Sequence, residues 1–186
     1  MRWSWPPSCP RRTAKAWGCT PIVGTTVEAL TALELGVDAI EHVPDPTGGD
    51  GWDEVAAALC ARQAAICPAL VVAVAHVSVD VVDSMAAWVS RLAATGVAVH
   101  SGTDLGNPGV AVRRSVHDEL ALVRRGVLSP GRALATAALR IADGAGAAWV
   151  LVQGDPLGDL GVLRRPSLVL EGGRVVAGSE RKGWAV

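Results

Sequence analysis

The sequence predicts an α/β fold in which parallel strands alternate with helices, followed by a short β addition. Three observations carry this expectation. Stretches of helical periodicity separate short apolar runs from Thr25 onward, the pattern of βα units and a parallel sheet. The hydrophobic fraction is 50% over 186 residues, enough for one domain with a sizeable core. From residue 147 the helical period gives way to short β runs.

Thr25-Thr26-Val27-Glu28 has the form of a capping box, in which the threonine hydroxyl takes an orphan N–H and the glutamate reaches back. The helix it opens should run to about Leu35, with Gly36 placed to end it. Val37 to His42 then reads as a strand. Trp52, Val55, Ala56, Leu59 and Cys60 form the stripe of a half-buried helix, with Asp53 and Glu54 in its first turn, where the helix dipole favours anions. An apolar strand is expected near Ile66 to Val72. A helix over about Val81 to Ala94 follows, with Val81, Met85, Trp88, Val89 and Leu92 on one face and Gly96 beyond its end.

Val97 to Thr103 reads as the next strand, ending in Ser101-Gly102-Thr103-Asp104. A loop from Leu105 to Gly109 leads into a helix carrying Val112, Val116, Leu120 and Val123. Ser129-Pro130 is an N-cap followed by proline at the first helical position, opening a helix towards Ile141. Ala148 to Val152, Ser167 to Glu171 and Arg174 to Ala177 are short β runs, and Gly172-Gly173 is the hairpin turn between the last two.

Composition excludes several classes of function. A formal net charge of −1 gives no cluster of lysine and arginine for displacing phosphate counterions, so no nucleic-acid partner is expected. The longest apolar stretch, Ala64 to Ala75, contains Pro68 and falls short of the roughly 20 residues of a membrane span. The start lacks the apolar core of a signal peptide, so a soluble, cytoplasmic protein with no membrane partner is expected. Cys60 and Cys67 read as small buried apolar residues. Residues 1–24 differ from the rest: Trp3, Trp5 and Trp17 sit among prolines, arginines and cysteines without periodicity. That composition fits either a disordered leader or a GC-rich gene read out of frame.

Three segments in series resemble the amidohydrolase superfamily, in particular its imidazolonepropionase-like and Xaa-Pro dipeptidase-like branch. The first is Glu28-Ala29-Leu30 through Gly36-Val37-Asp38-Ala39-Ile40-Glu41-His42. The second is His100-Ser101-Gly102-Thr103-Asp104, with Glu119-Leu120 and Gly126-Val127-Leu128-Ser129-Pro130 behind it. The third is Val150-Leu151-Val152-Gln153-Gly154-Asp155-Pro156-Leu157 with the Gly172-Gly173-Arg174-Val175-Val176 hairpin.

The resemblance implies a partial TIM (β/α)8 barrel comprising strands about five to eight, over residues 25–146. A β-sandwich segment over 147–186 would follow it. It implies a metal-dependent hydrolase of carbon–nitrogen bonds, acting on a small-molecule substrate such as a cyclic amide or a proline-containing dipeptide. The cofactor implied is a divalent metal, zinc above all. His42 would stand after strand six, binding metal or steadying the polarised carbonyl. Asp104 would stand after strand eight as metal ligand and proton acceptor. Both close an expected strand, where barrel enzymes keep catalytic groups. The bland alternatives are a strand-capping histidine and an aspartate that N-caps the next segment.

The chain departs from the family pattern in several places. No His-x-His pair occurs, Lys15 lies outside any strand context, and Ile22-Val23-Gly24 stands where a strand-five histidine is usual. A catalytic zinc commonly has three protein ligands, and only His42 and Asp104 are available. Two outcomes follow: a non-catalytic remnant, or a half-barrel that needs an oligomer or a complementing chain for the missing ligands.

The remaining polar residues carry bland readings. His100, four residues before Asp104 on one extended strand, would sit roughly 13 Å deeper and too far to share a metal with it. His76 near a strand end is a surface histidine, and His117 and Glu119 lie on a solvated helix face. The Gly48-Gly49-Asp50-Gly51 cluster is a flexible loop, and Trp52 and Trp88 are core residues.

Overall fold

The computed structural model describes residues 19–45, 51–112, 114–125, 128–137 and 148–178. The leader through residue 18, the Gly48-Gly49-Asp50 loop and the helix continuation to Ile141 lie outside the described residues. The described chain is mixed α/β, with two three-stranded sheets and no closed barrel among these residues.

The first sheet is parallel. Helix α1 (Thr26–Glu34) precedes β1 (Ala39–Glu41), α2 (Trp52–Arg62) precedes β2 (Ala65–Cys67), and α3 (Leu70–Ala73) and α4 (Val79–Thr95) precede β3 (Ala98–Val99). The strands lie in the order β1-β2-β3, with Ile40 opposite Ile66 and Ile66 opposite Val99. Beyond β1, Ile22 makes a parallel bridge with Glu41, flanked by bonds from Val23 N–H to Glu41 O and from Glu41 N–H to Pro21 O. Four segments of one sense thus run side by side.

Ile40, Ile66, Leu33, Leu59, Trp88, Val89 and Leu92 are buried in one core. Trp88 is fully buried; its ring stacks on Trp52 at 5.2 Å and its Nε1–H donates to Trp52 O at 3.2 Å. Helix α5 (Ser115–Arg125) packs on α3 and α4, and α6 (Pro130–Ala137) packs on α5.

Local chemistry explains most boundaries. The capping box of α1 is present: Glu28 N–H donates to Thr25 Oγ1 at 3.2 Å, and Thr25 N–H to Glu28 Oε2 at 2.9 Å. Gly24 N–H also donates to Glu28 Oε2, and with Thr25 it holds the Glu28 carboxyl below the usual carboxylate range. Gly36 and Gly96 take the left-handed conformation that ends α1 and α4.

Several expectations are corrected. The strand near Ile66 to Val72 is only Ala65–Cys67, because Ala69 turns into the left-handed region and Leu70–Ala73 is helical. His76 therefore follows a helical turn, not a strand, and is exposed. The strand expected over Val97 to Thr103 ends at Val99, so the extended ruler between His100 and Asp104 does not apply. The buried stripe of α5 is Ser115, Glu119, Leu122 and Val123 with Leu120, while Val112 and Val116 are exposed. Its buried positions include two polar residues, which a search for apolar spacing passes over.

The second sheet is antiparallel: β4 (Ala148–Val152), β5 (Pro166–Glu171) and β6 (Arg174–Gly178), in that order. Gly172 and Gly173 both have positive φ, as a type I′ hairpin turn demands. A 3-10 helix (Leu160–Arg164) ties this part to α5: Arg164 Nη2 donates to Asp118 Oδ1 at 2.6 Å, and His117 Nε2 lies 3.0 Å from Leu163 O. His117 is thus a half-buried contact residue and not part of a solvated face. Trp149, Val150 and Val176 remain more than half exposed on the second sheet.

Candidate functional site

In a parallel sheet the loops that leave the C-terminal strand ends share one rim, so distant residues can meet there. His42 follows β1 directly, while Asp104 lies five residues beyond the end of β3. The structure brings them together: His42 Nε2 is 3.3 Å from Asp104 Oδ2, with both side chains partly exposed. Each has positive φ, 70° at His42 and 46° at Asp104. Left-handed backbone is uncommon outside glycine, and surrounding structure must hold it in place.

Cys67, at the end of β2, supplies that structure. Its carbonyl accepts the His42 N–H at 2.8 Å, which fixes the turn carrying the imidazole. Its thiol lies against Gly102, where any β-carbon would collide with Sγ. Glycine at 102 is therefore a packing requirement of the loop that delivers Asp104. Ser101 secures the same loop from the other side, donating its N–H to Thr136 O at 2.8 Å and sharing a 2.5 Å hydroxyl contact with Thr136. Gly102→Ala is expected to cost about 1–3 kcal/mol, the range of overpacked sites, in chemical denaturation. Adding Cys67→Ala should recover most of that loss, because it removes the colliding sulfur.

Beneath the pair, Glu41 and Cys67 are register partners, and His100 follows Val99 on the neighbouring strand. Burial first, and then a hydrogen bond to the Glu41 carboxylate, push the Cys67 thiol far above its ordinary range. A thiol held protonated in this way is not a nucleophile. Burial lowers the His100 pKa, and the Glu41 charge opposes the shift without cancelling it.

Glu119 is the residue that sequence reasoning misplaces. It is fully buried on α5, and its Oε2 accepts the Val71 N–H at 2.8 Å. Burial raises its pKa to about 7 against the opposing pull of the Val71 and Leu70 amides. Its place beside Leu120 in the resembling segment is the only sequence signal pointing to it.

Among the described residues no group of three or more His, Cys, Asp or Glu side chains could hold a metal ion. His42 and Asp104 provide two donors, short of the three of a catalytic zinc site. The described residues therefore do not fit a metal by themselves. His42 Nε2 and Asp104 Oδ2 stand within ion-pair range, an arrangement in which a carboxylate can orient an imidazole. No helix of the described chain is long and apolar enough to cross a membrane.

No family model matches the chain, and no curated protein matches it. Solved structures do. A Xaa-Pro dipeptidase with methionine bound in its active site superposes with a TM-score of 0.65 at 18% identity, over 86% of this chain and 44% of the dipeptidase. Molinate hydrolase gives 0.60 at 18% identity, over 92% of this chain and 47% of that one. An uncharacterized protein gives 0.54 at 22%, over 86% and 46%. These likenesses show the fold, and the chain spans less than half the length of each structure it matches.

Proposed function

We propose that this chain is the C-terminal part of a metal-dependent, amidohydrolase-type hydrolase of carbon–nitrogen bonds. His42 and Asp104 would be its share of the hydrolytic centre. The observation that carries this reading is the 3.3 Å approach of His42 to Asp104 from the rims of the first and third parallel strands. Catalytic groups of (β/α)8 enzymes stand at that rim. Two structural neighbours are hydrolases by name, which supports the same class. Residues 25–146 then form strands five to eight of a partial barrel, and 147–186 a β-sandwich segment.

In this reading Asp104 takes a proton from the attacking water, and His42 steadies the oxygen of the carbonyl under attack. A divalent metal, zinc above all, would need donors beyond these two, so none of these steps is routed through it. A complementing chain would bring the missing strands and ligands, and would cover the apolar residues that the second sheet leaves exposed.

The second reading is a non-catalytic remnant. Val23, buried where the family pattern has a strand-five histidine, favours it, as does the two-donor site.

One assay separates them. The chain is tested for hydrolysis of Xaa-Pro dipeptides and cyclic amides in zinc buffer, alone and mixed with the N-terminal half of the Xaa-Pro dipeptidase. Hydrolysis in the mixture that disappears with Asp104→Asn supports the hydrolase. A well-folded mixture that binds zinc stoichiometrically yet hydrolyses nothing supports the remnant.

A further inference from the structure

We propose that Glu119 is a positioning residue for the His42–Asp104 pair, holding the strand end against which both members are set. The starting point is a helix without a cap of its own. Helix α3 begins just after β2, its N-cap residue is Ala69 in the left-handed conformation, and alanine offers no side-chain acceptor. The first N–H groups of a helix need an acceptor when they are buried. Glu119, 48 residues further along the chain, provides it: Oε2 accepts from Val71, and the Leu70 amide also bonds the carboxyl.

An apolar residue at 119 would cover the same area at lower cost, because a buried carboxyl is unfavourable unless bonded. What the acid adds is the acceptor, and through it a fixed end for β2. Cys67 lies two residues before Ala69. Its carbonyl holds the His42 N–H, and its thiol packs on Gly102 in the loop that delivers Asp104. The path from Glu119 through Val71, Ala69 and Cys67 thus reaches both members of the pair. If the end of β2 shifts, the His42 anchor and the Gly102 seat shift with it.

The proposal takes from the functional reading only that the His42–Asp104 pair is the working site. Its test is amide hydrogen exchange on the chain, which requires no hydrolysis and so can fail independently of that reading. Glu119→Ala should speed exchange of the Val71 and His42 amides by about tenfold or more, while the Trp88 amide changes by less than about twofold. Glu119→Gln keeps an acceptor oxygen and should restore both. Faster exchange at Val71 with His42 unchanged overturns the proposal, and so does an equal acceleration at all three amides. If the alanine variant does not fold, native-state exchange of the wild type in increasing denaturant decides. The Val71 and His42 amides should open as one unit with the same denaturant dependence, and separate openings overturn the idea.

Discussion

Replacing Trp88 with alanine is expected to lower the unfolding free energy by about 3–5 kcal/mol, the range for emptying a large aromatic site in a core. The indole is fully buried on α4 and stacked on Trp52, and its Nε1–H bonds the Trp52 carbonyl at the start of α2. Trp52 in turn donates from Nε1 to Pro44 O, just past His42. The truncation therefore removes packing and a hydrogen bond, and frees the segment that leaves β1. Trp88→Phe keeps much of the packing and loses only the N–H, so it should cost markedly less. Urea denaturation of the three proteins checks this. A loss below about 1 kcal/mol for the alanine variant would mean that the two tryptophans do not share one packed site.

Regular elements announce themselves where a local chemical signal marks their ends. Thr25 and Glu28 open α1, Gly96 ends α4, Ser129 and Pro130 open α6, and Gly172-Gly173 turns the hairpin. Each signal acts over three or four residues, which is the range that sequence reasoning handles well. The run from Ile66 to Val72 carries only Pro68, which argues against a strand running on past it. It is apolar throughout, so its period cannot distinguish strand from helix, and the break at Ala69 is held by Glu119 from another helix. That long-range acceptor has no local trace.

The candidate site divides in the same way. His42 and Asp104 are visible because each closes an expected strand, but their separation depends on a loop after Val99 that no strand ruler describes. Glu119 is hidden for a different reason. Apolar spacing places Val112, Val116, Leu120 and Val123 on the buried face of α5, whereas the helix turns Ser115 and Glu119 inward. A buried acid becomes legible only when the amides that it serves are known.

Glu119→Gln is expected to gain stability relative to the wild type as pH rises, by about 2–3 kcal/mol between pH 5 and pH 8. This follows from an acid that has an ordinary carboxyl pKa when unfolded and a pKa of about 7 when buried, at 1.36 kcal/mol per unit. Because the folded-state pKa is the higher one, the folded protein holds the proton more tightly. The resulting stability is fully present below the unfolded-state pKa and is lost as pH rises through about 7.

Glutamine mimics the neutral acid and still accepts the Val71 N–H, so it keeps the cap and escapes the loss. Cys67 is the titratable group that faces Glu119, and its thiol stays protonated across this range. Two of the charges on α5 are paired elsewhere, Arg125 with Asp83 and Asp118 with Arg114 and Arg164. Denaturation curves of both proteins at pH 5, 6, 7 and 8 should therefore diverge smoothly. Parallel curves would mean that Glu119 does not change protonation in this range, and that its unpartnered Oε1 is solvated more fully than a dry pocket allows.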